Sequence, residues 1–280
     1  MVFRRLGALA GVLVAALAVF GIVKLATRAG TPAPTTTAAI APPKPFRIVF
    51  PEGFTRRAMA HRVAVVATIA ESERHRRVKL SERGYLAASG RRRVPGFGRK
   101  RRSLEGFLFP ATYDFLRSTT PGQLVQKQLA AFRENWGRVN LSHARKKNLT
   151  PYDVLTIASM VEGEALAPDE RPLIAAVIYN RLHARMPLGI DATIRYGLHV
   201  PGTKALRQSQ LNSDTPYNTR RFLGLPPTPI DNPGLASMQA AAHPARVKYL
   251  YFVRKPDKVH HYFTASFKDF VNHEIAYGYK

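Results

Sequence analysis

Glu162 and Glu164 sit where carboxylates are least expected. Their segment, 151–166, carries Val154, Leu155, Ile157, Ala158, Met160, Val161, Ala165 and Leu166, which leave almost no polar face. Taking a carboxylate out of water costs several kcal/mol, of order, unless it is paired. Side chains two positions apart on an α-helix point about 200° apart, so the two glutamates cannot serve one face. Two readings are open. In one, both carboxylates pair with basic side chains and serve the fold. In the other, apolar surroundings raise the pKa of one of them, which then donates a proton near neutral pH.

Other chemistries fail on residue type or spacing. His273-Glu274-Ile275-Ala276-Tyr277 starts like a zinc-binding HExxH helix but has Tyr at the second ligand position. No GxSxG is present, which removes the serine-hydrolase elbow. The adjacent His260 and His261 fall on a predicted strand and face opposite ways, which suits no shared metal site. Gly96-Phe97-Gly98 lacks the spacing of a phosphate loop. With no cysteine there is no thiolate metal site, disulfide or cysteine nucleophile.

The elements that must position the glutamates carry clear signals. Thr150 is an N-cap before Pro151, with Asp153 in the capping-box position, so a helix starts there. A further helix is predicted over about 170–184, and Thr120-Pro121 opens another whose apolar face is Leu124, Val125, Leu129, Phe132 and Trp136. Residues 46–50 read as a strand, and Thr55 caps a helix beyond it. The aromatic-rich 104–115, with Pro110, suits a buried extended connection. KYLYFVR (248–254) and HHYFT (260–264) flank a Pro-Asp-Lys turn and predict a hairpin, followed by a helix over about 266–277. Residues 71–103 hold twelve Lys/Arg against three Glu. That stretch reads as a solvated, mobile loop, or else as a surface that meets anionic lipid or acidic wall polymer.

The whole chain has 280 residues, 45% hydrophobic and 22% charged, which excludes wholesale disorder. Its formal net charge of +25 calls for a polyanionic partner: nucleic acid, anionic lipid or an acidic cell-wall polymer. Arg4 and Arg5 precede an uncharged apolar run of 18 residues, Leu6 to Val23, and Lys24 and Arg28 come after it. The run is long enough to span a bilayer and too long for the core of a cleaved signal peptide. Residues 1–28 are therefore expected to be an uncleaved single-pass anchor in the cytoplasmic (inner) membrane, N-terminus inside. The Pro/Thr/Ala-rich segment 29–45 is a stiff tether. Residues 46–280 are expected outside the cytoplasm, which removes nucleic acid as a partner.

Six segments occur in a telling order: LEGFLFPATYDF (104–115), IASMVEGEA (157–165), ERPLIAAVIYNRL (170–182), MPLGIDATIRYG (186–197), PYNTRRFLGLPPTPIDNPGLASMQAAAHPA (216–245) and YLYFV (249–253). Together they resemble the endolytic murein transglycosylase family (YceG/MltG-like). The similarity is dense over 104–263 and looser over 46–90, where PEGFTRRAMAHRV resembles the family's small LysM-like lobe. Gly163, Ala165, Gly189, Ile190 and Ala192 depart from the commoner family residues, and Phe270 and Val271 stand where a His and an Asn are usual. The resemblance implies an α+β fold: a membrane-anchored, two-lobed exported region with a small LysM-like lobe (46–103) and a larger mixed α/β catalytic lobe (104–280).

Family membership implies a chemistry too. A lytic transglycosylase would cleave the β-1,4 bond between N-acetylmuramic acid and N-acetylglucosamine inside peptidoglycan strands, leave 1,6-anhydro ends, and so terminate nascent strands. The first glutamate of the family motif falls on Glu162, which becomes the expected catalytic acid and base. The resemblance implies that no metal or organic cofactor is needed. Asp191, Tyr217 and Asn218 are the candidate substrate contacts, against the alternative that each is a turn or N-cap residue. Implied partners are peptidoglycan glycan strands, the inner membrane and peptidoglycan synthases of the penicillin-binding class. The competing expectation is a non-catalytic peptidoglycan-binding or scaffold protein of the cell envelope.

Overall fold

A computed structural model describes residues 44–279. The expected anchor, 1–28, and nearly all of the tether, 29–45, lie outside the described residues. Within them, no helix is long and apolar enough to cross a membrane.

Strand β1 (Phe46–Val49) pairs antiparallel with β2 (Thr112–Phe115), with Phe46 opposite Phe115 and Val49 opposite Thr112. Between them run α1 (Arg56–Arg74) and α2 (Glu82–Ala88). Thr55 caps α1 as its sequence predicts, its hydroxyl accepting the Ala58 N–H at 3.0 Å. The strand pair joins residues on both sides of Leu104.

The basic stretch holds more regular structure than its charge suggests. Helix α1 continues to Arg74, α2 occupies 82–88, and residues 91–102 double back so that Arg92 and Arg102 exchange two backbone hydrogen bonds of 2.8 Å. Two apolar residues pin this arm. Val94 and Phe97 are buried, and the Phe97 ring lies 4.8 Å from Phe107, 5.0 Å from Trp136 and 5.7 Å from Phe132. Charge density conceals such anchors because it averages over them.

The rest is largely helical: α3 (Pro121–Trp136), α4 (Ser142–Lys146), α5 (Pro151–Glu164), a 3-10 turn (Pro168–Glu170), α6 (Arg171–His183), α7 (Asp191–Leu198), α8 (Gln208–Leu211) and α9 (Leu235–Ala242). The hairpin β3 (Tyr251–Arg254) and β4 (His261–Thr264) comes next, and α10 (Phe267–Ala276) packs on it. Helix α5 is the centre of the fold. Its capping box is complete, with Thr150 accepting the Asp153 N–H at 3.2 Å and Asp153 accepting the Thr150 N–H at 2.8 Å. Every residue from Tyr152 to Val161, apart from half-buried Asp153, is buried, and α6 and α9 pack against the helix. It stops at Glu164, two residues short of the apolar pattern: Ala165 is extended, and so is Ala167, the residue that Pro168 biases away from the helix. One continuous cluster of buried side chains runs from Ile48 through α5 to Ala242.

Candidate active site

Both glutamates stand in the last turn of α5, a turn with no basic residue. The aligned peptide dipoles there favour cations, so the sequence places two carboxylates against the local preference of the helix. A break with local preference of this kind is what a functional site produces.

The two are separated as helix geometry requires. The Glu162 side chain is only 7% exposed; its Oε2 accepts the Gly234 N–H at 2.9 Å, and its Oε1 faces Arg171 Nη2 at 3.7 Å. Arg171, the first residue of α6, is held on its other side by a hydrogen bond from Nε to Ser237 of α9 at 3.1 Å. Glu164 points instead toward α7 and β3. The Ala192 N–H bonds to its carboxyl, Asp191, Arg195 and Arg254 are its charged neighbours, and Arg254 also reaches the Glu164 carbonyl at 3.3 Å. Burial, helped by Asp191, pushes the Glu164 carboxyl up to about 7.

Two glycines also border Glu162. Gly53 has φ +74° and presents a bare Cα, such that a Cβ there would lie 3.7 Å from Glu162 Cγ. Gly234 meets the Glu52 carboxylate so closely that any side chain at 234 would run into it. Gly163, between the two glutamates, is exposed, and a Cβ on it would stand 3.1 Å from Ala192 Cβ. Gly163 and Ala192 therefore face each other, and both are small.

Two further carboxyls crowd Glu162. Glu52 titrates above its ordinary range, through burial first and then the Glu162 charge. Asp231 is 4% exposed, its Oδ1 has no hydrogen-bond partner, and it is raised well above its ordinary range by burial, Glu162 and Glu105. Glu162 thus sits in a polar cage of Arg171, the Gly234 N–H, Glu52 and Asp231. The expected apolar surroundings belong to the rest of α5. Pattern reading missed Glu52, Arg171 and Asp231 because they arrive from a turn, a helix start and a Pro/Gly-rich loop distant in sequence.

Two hydrogen-bond nodes hold that cage. Ser159, one turn before Glu162, accepts the Ile230 N–H at 3.0 Å and fixes loop 224–234 on α5. Asn232 accepts the Leu108 N–H at 2.9 Å and donates to the Phe54 carbonyl at 2.8 Å and to Glu105 at 2.9 Å. Glu105 also takes the Arg56 N–H at 2.7 Å and the Tyr196 hydroxyl at 3.1 Å, while burial pushes it up to about 7. The turn carrying Glu52 and Gly53, the segment 104–108 and the loop carrying Asp231 are tied at this point.

The other candidates divide. Asp191 is half exposed beside Glu164 and pairs with Arg220 at 2.8 Å. The Tyr217 hydroxyl lies 2.9 Å from Thr228, and its ring meets Tyr196 edge-on at 5.0 Å. Asn218 is fully buried; its amide donates to the Leu211 and Ser213 carbonyls and accepts the Arg220 N–H, so its own loop engages it. On the hairpin, His261 is buried against Glu170 at 2.7 Å while His260 is exposed, which is the opposition their adjacency predicts. Among the described residues, no group of three His, Asp or Glu side chains is arranged to hold a metal ion.

A sequence model of the YceG-like family matches residues 26–274. The chain belongs to the YceG-like family. It is 39% identical over 152 residues to an endolytic murein transglycosylase of Bacillus subtilis (strain 168), covering 54% of this chain and 42% of that relative. It is 40% identical over 154 residues to an endolytic murein transglycosylase of Streptococcus pneumoniae (strain R6), covering 54% of this chain and 28% of that one. The chain thus matches less than half the length of these curated relatives. In three dimensions it is similar to a crystal structure of a YceG-like protein from Listeria monocytogenes, with TM-score 0.68 and 29% identity over 81% of this chain and 75% of that one. The mixed α/β fold with small sheets is consistent with that YceG-like structure.

Proposed function

We propose that this YceG-like protein is a lytic transglycosylase of peptidoglycan and that Glu162 is its acid and base. The observation that carries the reading is Glu162 itself: a carboxyl at the end of a buried apolar helix, held by Arg171 and the Gly234 N–H, with Gly53 and Gly234 beside it. Curated relatives named endolytic murein transglycosylase support the substrate class.

The chemistry needs one carboxyl group where an ordinary glycosidase needs two. Glu162 protonates the bridging oxygen as the bond from C1 of N-acetylmuramic acid breaks, and the N-acetylglucosamine leaves with a free 4-hydroxyl. The muramyl C6 hydroxyl then attacks C1 and gives its proton to the Glu162 carboxylate, which closes the 1,6-anhydro ring and restores the acid. No water is consumed. Asp191, beside Glu164, and Tyr217, beside Thr228, are the candidates to position sugars further along the strand.

Glu164 is the second reading. A carboxyl near 7 suits proton donation at neutral pH, and against it stands the seat of Glu164 among Asp191, Ala192 and Arg254.

Around this chemistry we place the rest of the chain. Residues 1–28 anchor it in the cytoplasmic membrane with the catalytic region outside, a reading supported by the apolar run between basic flanks. The β–α–α–β order of residues 46–115 supports a LysM-like lobe. Strand termination and contact with peptidoglycan synthases would result from cutting within nascent strands. The test of the activity is mass spectrometry of peptidoglycan sacculi incubated with the full chain in detergent. Release of 1,6-anhydro-muropeptides is expected; reducing-end products alone, or none, would refute it.

A further inference from the structure

The basic arm does more than carry charge. Arg91, Lys100, Arg101 and Arg102 line an open groove of about 770 Å³ together with Tyr152 and Thr228. Its cations are positioned. Arg91 and Arg101 each reach the other's backbone carbonyl, at 3.4 and 3.1 Å, and the Arg102 guanidinium stacks 3.7 Å over the Tyr152 ring. Among the described residues, none of the four has a carboxylate in ion-pair range, and the Arg102 Nε–H is buried without an acceptor. Concentrating like charge on a docked arm is unfavourable for the isolated fold, so the groove is built for an anion.

Two elements link the groove to the candidate active site along the chain. Tyr152 and Glu162 share α5, ten residues or about 15 Å apart along its axis. Thr228 belongs to the loop that continues to Asp231 and Gly234 beside Glu162. A polymer with its backbone across Glu162 would thus present a side branch here, a few sugars away from the bond being cut. On peptidoglycan that branch is the peptide stem, which bears carboxylates.

We propose that this groove binds the carboxylate-bearing peptide stem of a glycan strand whose sugar backbone lies across Glu162. The inference rests on the activity proposed above and adds which part of the substrate is read, and by what. Guanidinium forks suit carboxylates bidentately, and the exposed setting makes the contact sensitive to salt.

The test uses the full chain in detergent carrying Glu162→Gln, so that strands are bound and not consumed. Fluorescence anisotropy gives Kd for uncrosslinked strands with intact stems and for the same strands stripped of stems by an amidase. Stem-bearing strands should bind about tenfold more tightly, and the preference should shrink at high salt. Arg91→Ser/Lys100→Ser/Arg101→Ser should bring the ratio close to 1, and Lys100→Glu alone should lower it. All three side chains are exposed, and a thermal melt confirms folding. A parent ratio near 1, a ratio the substitutions leave unchanged, or equal loss on both strand types would each overturn the proposal. So would displacement of stem-bearing and stripped strands alike by a glycerol-phosphate polymer, which would make the groove a phosphate site. If the unsubstituted chain still releases anhydro-muropeptides in such cases, only the groove inference fails. If it releases none, the activity itself fails.

Discussion

Glu162 is bordered by glycine at positions 53 and 234, and that makes the backbone around it as restrictive as any side chain. Gly234 supplies the N–H that Glu162 accepts, and a methyl group at 234 would have to displace the Glu52 carboxylate. Gly234→Ala should therefore leave a folded protein, because the clash is with a movable side chain at the edge of the cage. Turnover should fall on the order of 10²-fold as Glu162 loses its placement. Product release assays beside a thermal melt would check this, and near-normal turnover would show that the Gly234 contact does not position the acid. The unusual status of the glutamate pair was legible in the sequence because a carboxylate in an apolar helix violates a simple rule. Its choice of partners was not. Glu52 lies in what reads as a plain turn, and Asp231 in what reads as a rigid wall. The Asn232 and Ser159 nodes, with the Gly234 N–H on Glu162, bring those segments to α5.

At the scale of elements, local chemistry was readable wherever it closed on itself. Thr55, Thr120 and Thr150 all cap the helices that begin beside them, and the hairpin turns at the Pro-Asp-Lys segment. The basic arm was not readable, because its order comes from Phe97 docking on Phe107, Phe132 and Trp136, far from the charges. Phe97→Ala should cost about 3–4 kcal/mol, the usual loss for a buried aromatic side chain. It should also release the arm, which limited proteolysis would detect as new cleavage among the arginines of 91–102. Urea unfolding with a loss below about 1 kcal/mol and no new cleavage would mean the arm is held by something other than this cluster.

Across the whole molecule, stability should track the protonation of carboxyls that folding buries. Glu105 and Glu164 are pushed up to about 7, and buried Asp231 is raised as well, each through burial first. A carboxyl whose folded pKa exceeds its unfolded value binds its proton more tightly when folded. Its penalty is absent below the unfolded value of about 4.3, grows as pH rises, and is complete above the folded value. Glu164→Gln removes one such penalty. The variant should match the parent near pH 4 and exceed it by roughly 1–3 kcal/mol above pH 8, with the gap opening between those limits. Buried His261, whose pKa burial lowers, acts in the opposite direction in both proteins and cancels from the comparison. Denaturant titrations at pH 4, 6 and 8 would check it, and a gap independent of pH would contradict the buried-carboxyl account.

The most direct test of the central claim compares Glu162→Gln with Glu164→Gln in the release of 1,6-anhydro-muropeptides. Glutamine keeps the size of glutamate and can hydrogen-bond, but it neither donates nor takes the catalytic proton. General acid–base groups contribute about 10²–10⁴-fold, and Glu162 performs both transfers, so its variant should fall to the upper end of that range or beyond it. Glu164→Gln, on the other side of the same helix turn, should retain most of its activity. A folded Glu162→Gln protein with near-normal turnover, or the two outcomes exchanged, would contradict the assignment of Glu162 as the acid and base.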